Sequence, residues 1–174
     1  MIRARVMVWA LAALLLAVHP APAASPPPQA TLLADDAYRG ELAHRIREAK
    51  RRIICAFYLF KAGEIKGNLP AGIAAELVQA CKRGVEVTVI LEGGRAVGRE
   101  NRVAASALSR GGVTVVIPGS RKVTHAKAVV VDDRYVLIGS HNLTHSALAR
   151  NRELSVMLDD PELAAQVTRY LEGL

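Results

Sequence analysis

Apolar positions along the chain fall into two alternating spacings. Leu42, Ile46 and Ala49 recur at helical intervals and predict a first helix. The run RIICAFYLF, Arg52 to Phe60, is rich in β-branched and aromatic residues and predicts a strand. KAGEIKGNLPAG, residues 61–72, breaks the pattern and reads as a loop longer than a tight strand-to-helix turn needs. Ile73 to Lys82 then reads as helix, Val85 to Leu91 as strand, Arg102 to Ser109 as helix and Val113 to Ile117 as strand. Arg83-Gly84 and Arg110-Gly111-Gly112 are matching helix-stop signals, so this half reads as a βαβαβ unit with right-handed crossovers.

The spacing changes after Pro118. Ala128 to Val131 and Tyr135 to Ile138 are apolar strands separated by Asp132, Asp133 and Arg134, which predicts an antiparallel hairpin. A short exposed helix over Leu143 to Ala149, a strand over Glu153 to Leu158 and a last helix opened by Asp160 and Pro161 follow. The expected fold class is α/β, a mixed β-sheet flanked by helices. A chain of 174 residues holds one such domain and buries roughly two thirds of its unfolded surface.

The amino terminus lies outside this pattern. Arg3 and Arg5 precede an apolar run from Val6 to Val18, which is shorter than the roughly 20 residues of a membrane span, and Ala21-Pro22-Ala23 is a small-x-small cleavage site. Residues 1–23 therefore read as a signal peptide, with export to the periplasm or the medium. Residues 24–30, with three consecutive prolines, read as a linker, and 31–174 as the folded domain. Processing removes only Arg3 and Arg5, leaving 21 basic against 16 acidic residues. That surplus favours an anionic partner, nucleic acid or an acidic membrane surface, without choosing between them. Cys55 and Cys81 read as buried free thiols, with a bridge as the alternative in an oxidising compartment.

The chemistry is concentrated in THAKAVVVDDRYVLIGSHN, Thr124 to Asn142. His125, Lys127 and Asp132 are followed at fixed spacing by Gly139, Ser140 and Asn142. Strand alternation puts His125 and Lys127 on one face, and the next strand delivers Ser140 and Asn142 beside them. An imidazole supplies a nucleophilic nitrogen, while an ammonium and an amide can hold the non-bridging oxygens of a five-coordinate phosphorus. This set needs no cofactor and no metal; His44, His125, His141 and His145 lack the spacing of a zinc site.

The spacing His-x-Lys-x-x-x-x-Asp with Gly-Ser-x-Asn resembles the phospholipase D superfamily, and the likeness extends from about Thr31 to the end. Within it, the chain is most similar to small exported bacterial endonucleases of the Nuc type, which carry one such motif per chain. The resemblance implies catalytic roles for His125, Lys127, Ser140 and Asn142. It implies structural roles for Asp132, expected to fix its turn through backbone amides, and for Gly139. It also implies that Glu153 hydrogen-bonds the His125 imidazole, orienting the ring with one nitrogen left to attack. Ser140 and Asn142 are also expected at a helix N-cap.

One motif supplies one imidazole. In-line displacement places nucleophile and leaving oxygen on opposite sides of phosphorus, so a second imidazole must protonate the leaving group. A homodimer with the site on its two-fold axis provides it, as the resemblance also implies. Arg95 and Arg99 in the 92–101 loop, with Arg121 and Lys122, are candidates for tracking phosphates. Aromatic residues make up 4% of the chain, which disfavours base stacking and points to a nuclease of little sequence preference. A phospholipid phosphodiesterase is the rival, with the 61–72 loop as a lid or membrane contact. A non-catalytic binding module is the third reading.

Overall fold

The computed structural model describes residues 29–63, 67–94 and 96–174. The signal peptide, the linker up to residue 28, Glu64 to Lys66 of the long loop and Arg95 lie outside the described residues. Seven strands, β1 (Gln29–Ala34), β2 (Arg52–Phe57), β3 (Glu86–Leu91), β4 (Thr114–Val116), β5 (Lys127–Val131), β6 (Tyr135–Gly139) and β7 (Leu154–Asp159), form one sheet in the order β1-β7-β6-β5-β2-β3-β4. The β2, β3 and β4 strands are parallel, and the remaining neighbours are antiparallel, the mixed sheet expected.

Strand alternation sorts the core onto two faces. Cys55, Phe57, Val89, Leu91, Val129 and Leu137 pack with residues of α1 (Ala37–Glu48), α2 (Leu69–Lys82), α3 (Gly98–Arg110) and α4 (His145–Ala149). Ile54, Ala56, Ile90, Val130 and Val136 meet Ala164 and Leu171 of α5 (Pro161–Glu172) on the other face. Both cysteines are free: Cys55 is buried, which pushes its thiol up to about 12, and Cys81 is only half-buried.

The hairpin turn explains one motif residue. Asp132 and Asp133 both have positive φ, 54° and 55°, a conformation that aspartate tolerates and that matches the twist of paired strands. The Asp132 carboxylate does not bond the amides of its own turn. It accepts from the N–H groups of Lys50 (2.9 Å), Arg51 (2.8 Å) and Arg52 (3.1 Å), capping the connection from α1 to β2. Asp132 thereby ties β5 to the strand it pairs with.

Five elements depart from the expected boundaries, beginning with β2, which ends at Phe57 and not at Phe60. β1 begins at Gln29, so the last two linker residues are already paired with Asp159 and Leu158. The α2 helix starts at Leu69 because Asn68 caps it, accepting from Ala71 N–H, and Pro70 fits the first turn; residues 69–72 are therefore helix rather than loop. The α3 helix starts at Gly98, which takes residues 98–101 out of the 92–101 loop. The N-cap of α4 is Thr144, accepting from Ala147 N–H, and neither Ser140 nor Asn142 serves there.

Candidate active site

Sheet register brings the motif residues to one end of the sheet. Lys127 opens β5 opposite Phe57, the last residue of β2, and Gly139 closes β6 opposite Ser155 of β7. Gly139 is required there: a Cβ would collide with the Ser155 hydroxyl and the Leu154 carbonyl of the adjoining strand. His125 immediately precedes β5, where the hydrogen bond from Tyr58 N–H to the Ala126 carbonyl (3.1 Å) prolongs the pairing.

The His125 side chain is exposed, whereas Lys127 is only 8% exposed. The Lys127 ammonium donates to the His125 carbonyl at 2.8 Å and lies 3.0 Å from Nδ1 of the same imidazole. The Tyr58 ring supports both, with its centroid 4.5 Å from that of His125 and 5.4 Å from Lys127 Nζ. Burial lowers the Lys127 pKa, and the charge of Glu153 acts in the opposite direction. Asn142 accepts at Oδ1 from Leu59 N–H (3.2 Å), which leaves its NH₂ as the donor end.

Residues 42–174, which carry this imidazole, the adjoining ammonium and the amide, are matched by a family model described as cardiolipin synthase, PLD-like domain. The chain belongs to the phospholipase D-like family. Phospholipase D of Rickettsia conorii is 29% identical over 123 residues, covering 71% of this chain and 56% of the relative. Phospholipase D of Rickettsia bellii is 33% identical over 92 residues, covering 53% and 45%. The chain thus spans about half the length of the curated relatives it matches. Among solved structures, the phospholipase D family member Nuc from Salmonella typhimurium superposes with a TM-score of 0.73 at 26% identity, covering 84% of this chain and 93% of that one. NucT from Helicobacter pylori shares the fold, with a TM-score of 0.69 at 18% identity and coverage of 84% and 94%.

Glu153 departs from the expected contact. It does not hydrogen-bond the imidazole; its carboxylate accepts from the Ser140 hydroxyl and from Asn151 Nδ2 (3.0 Å). Both oxygens are therefore engaged at the β6–β7 edge, and the His125 ring rests on Tyr58 instead. The Ser140 hydroxyl also accepts from Leu154 N–H at 3.0 Å, so this residue links the strands on either side of the motif. Of the phosphate-tracking candidates, Arg99 is exposed in the first turn of α3, not in a loop. Arg121 and Lys122 are exposed in the segment leading to His125, and Arg95 lies outside the described residues.

Three supporting residues escaped sequence reasoning. Buried Glu92 accepts from Thr124 N–H (2.6 Å) and Gly94 N–H (2.6 Å), anchoring the segment that presents His125. Fully buried Asn101 accepts from Phe60 N–H and donates to the carbonyls of Tyr58 and Glu92, each at 2.8 Å. Tyr58 forms the platform already described. Glu92 and Tyr58 immediately follow β3 and β2, where a polar or aromatic residue at a strand end is a signal, but nothing local marks Asn101. His141 is fully buried before α4, stacked on Tyr38 at 4.3 Å, and its Nε2–H donates to the Asp35 carbonyl at 2.8 Å.

Proposed function

We propose that this chain is an endonuclease that cleaves DNA, and RNA where it is accessible, without sequence preference. His125 attacks phosphorus and forms an N–P bond as the bond to the leaving oxygen breaks. The His125 of a second copy donates the proton that the leaving oxygen takes up. Water then attacks the phosphohistidine, giving its proton to that second imidazole, and the N–P bond breaks to free His125. Lys127 and the Asn142 NH₂ stabilise the charge on the non-bridging oxygens. Glu153 acts through Ser140 and through its charge on Lys127, as a positioning residue. The protein works as an exported homodimer, and the reaction requires no metal.

The observation that carries this reading is the Lys127 ammonium held 3.0 Å from His125 Nδ1 at the same sheet end as Asn142. The likeness to Nuc, which extends over 93% of that chain, and the basic surplus of the sequence support nucleic acid as substrate. A second reading, phospholipid hydrolysis, is favoured by the names of the Rickettsia relatives. Mature protein assayed in EDTA against plasmid DNA, RNA and phospholipid vesicles side by side decides between them. Nicking and linearisation of plasmid supports the nuclease, and selective headgroup release from vesicles transfers the function to the lipid reading.

A further inference from the structure

Beside the candidate active site lies a groove of about 670 Å³ whose lining includes Lys61, Glu100, Val103, Thr144, His145 and Arg150. Its volume falls in the range of roughly 300–1,000 Å³ that encloses a small organic ligand or a comparable part of a larger one. Residues 58–61 and 142–145 form two rails leading into it. The Tyr58 ring packs at a tilt against His125, Leu59 N–H bonds Asn142, Phe60 bridges Leu143 in parallel, and Lys61 N–H donates to the Leu143 carbonyl at 2.8 Å. At an extended rise of about 3.3 Å per residue, Lys61 stands roughly 10 Å along the rail from Tyr58.

The rails are held firmly. Asn101 fixes the backbone of Tyr58 and Phe60, while Asn68 Nδ2 donates to the carbonyls of Lys61 (3.2 Å) and Gly63 (2.8 Å). Among the described lining residues two permanent cations, Lys61 and Arg150, face one carboxylate. That carboxylate, Glu100, lies 4.0 Å from Lys61 and offsets part of its charge. Val103, half-exposed on α3, adds an apolar surface against which a sugar or base can rest.

From this we infer that the groove is a second phosphate subsite: it receives the strand beyond the scissile phosphate, with Lys61 and Arg150 holding the next phosphate and Glu100 moderating the grip. The inference rests on the nuclease reading and extends it from one reacting phosphate to a chain of phosphates. A small phosphodiester reaches only the His125 end, whereas an oligonucleotide occupies both.

The test compares kcat/KM for a single-stranded oligonucleotide with that for bis(p-nitrophenyl) phosphate, using the full mature chain. Lys61→Ala and Arg150→Ala should each lower the ratio of the two values by about tenfold, the loss of one charged hydrogen bond. Each should also flatten the salt dependence of oligonucleotide binding by roughly 0.7 log units per log unit of salt. Glu100→Gln should raise the ratio, since it removes the opposing charge. Oligonucleotide cleavage by the wild type with all three ratios unchanged, or a ratio lowered by Glu100→Gln, overturns the subsite alone. Hydrolysis of the small diester with no cleavage of any oligonucleotide overturns the nuclease reading and the subsite with it.

Discussion

Lys127 Nζ stands 3.0 Å from Nδ1 of His125 and donates to the carbonyl of the same residue at 2.8 Å, so one buried ammonium positions both the ring and the backbone of the candidate nucleophile. Its dual contact makes Lys127 more than a phosphate clamp, because its removal frees the ring as well as a charge.

The electrostatics of that ammonium lead to a pH prediction. Burial holds the Lys127 pKa below the ordinary lysine value, and Glu153 offsets part of the effect. The charged form that the proposed mechanism uses is therefore lost at lower pH than for an exposed lysine. The alkaline limb of the kcat profile should fall below the ordinary lysine range, and Glu153→Gln should move it lower still. For stability the sign is that of any group whose folded pKa is depressed, a paired carboxylate included. The unfolded state retains its proton after the folded state has released it, so stability rises as pH climbs from the folded toward the unfolded pKa. Lys127→Met should accordingly abolish turnover while leaving the thermal midpoint at neutral pH unchanged or raised. A profile unmoved by Glu153→Gln would separate Glu153 from the site's electrostatics.

Asn101 and His141 are expected to act on stability. Asn101→Ala leaves Phe60 N–H and the Tyr58 and Glu92 carbonyls unpaired in a buried setting, at a cost on the order of 3 kcal/mol. His141→Ala removes the partner of the Asp35 carbonyl and the ring stacked on Tyr38, for about 2–4 kcal/mol. Urea denaturation should show both losses as lowered midpoints. At low temperature His141→Ala should keep most of its turnover, whereas His125→Ala should lose at least about a thousandfold with its midpoint little changed.

The contrast between these residues shows what was legible in the sequence. His125, Lys127, Gly139, Ser140 and Asn142 lie within one hairpin, and strand periodicity alone places them at one sheet end. Asn101, Glu92 and Tyr58 act through contacts between residues far apart in the chain, and a polar residue on a helix face does not announce that it will be buried against strand ends. β1 is not legible because Leu33 is its only buried residue, so the edge strand carries no two-residue alternation. The partner of Glu153 is hidden for a related reason: at the β6–β7 edge the Ser140 hydroxyl and the Asn151 amide, both nearer to it in the chain than His125, reach its carboxylate before the imidazole does.

The proposed sharing of one site across a two-fold axis predicts interference between chains. Adding excess His125→Ala chains to wild type, under conditions where subunits exchange, should depress activity more than dilution does, since each mixed dimer holds a single imidazole. Mixing His125→Ala with Lys127→Ala chains should not restore wild-type turnover. Full activity in a species that sediments as a monomer would remove the second imidazole and the general acid with it.

Stereochemistry at phosphorus distinguishes a double displacement through His125 from direct hydrolysis. An oligonucleotide with a single phosphorothioate of defined configuration, cleaved in isotopically labelled water, reports the configuration of the product. Two successive in-line displacements, first by His125 and then by water, should give overall retention. Inversion would mean that water attacks the phosphodiester directly, and would contradict the phosphohistidine intermediate on which the account is built.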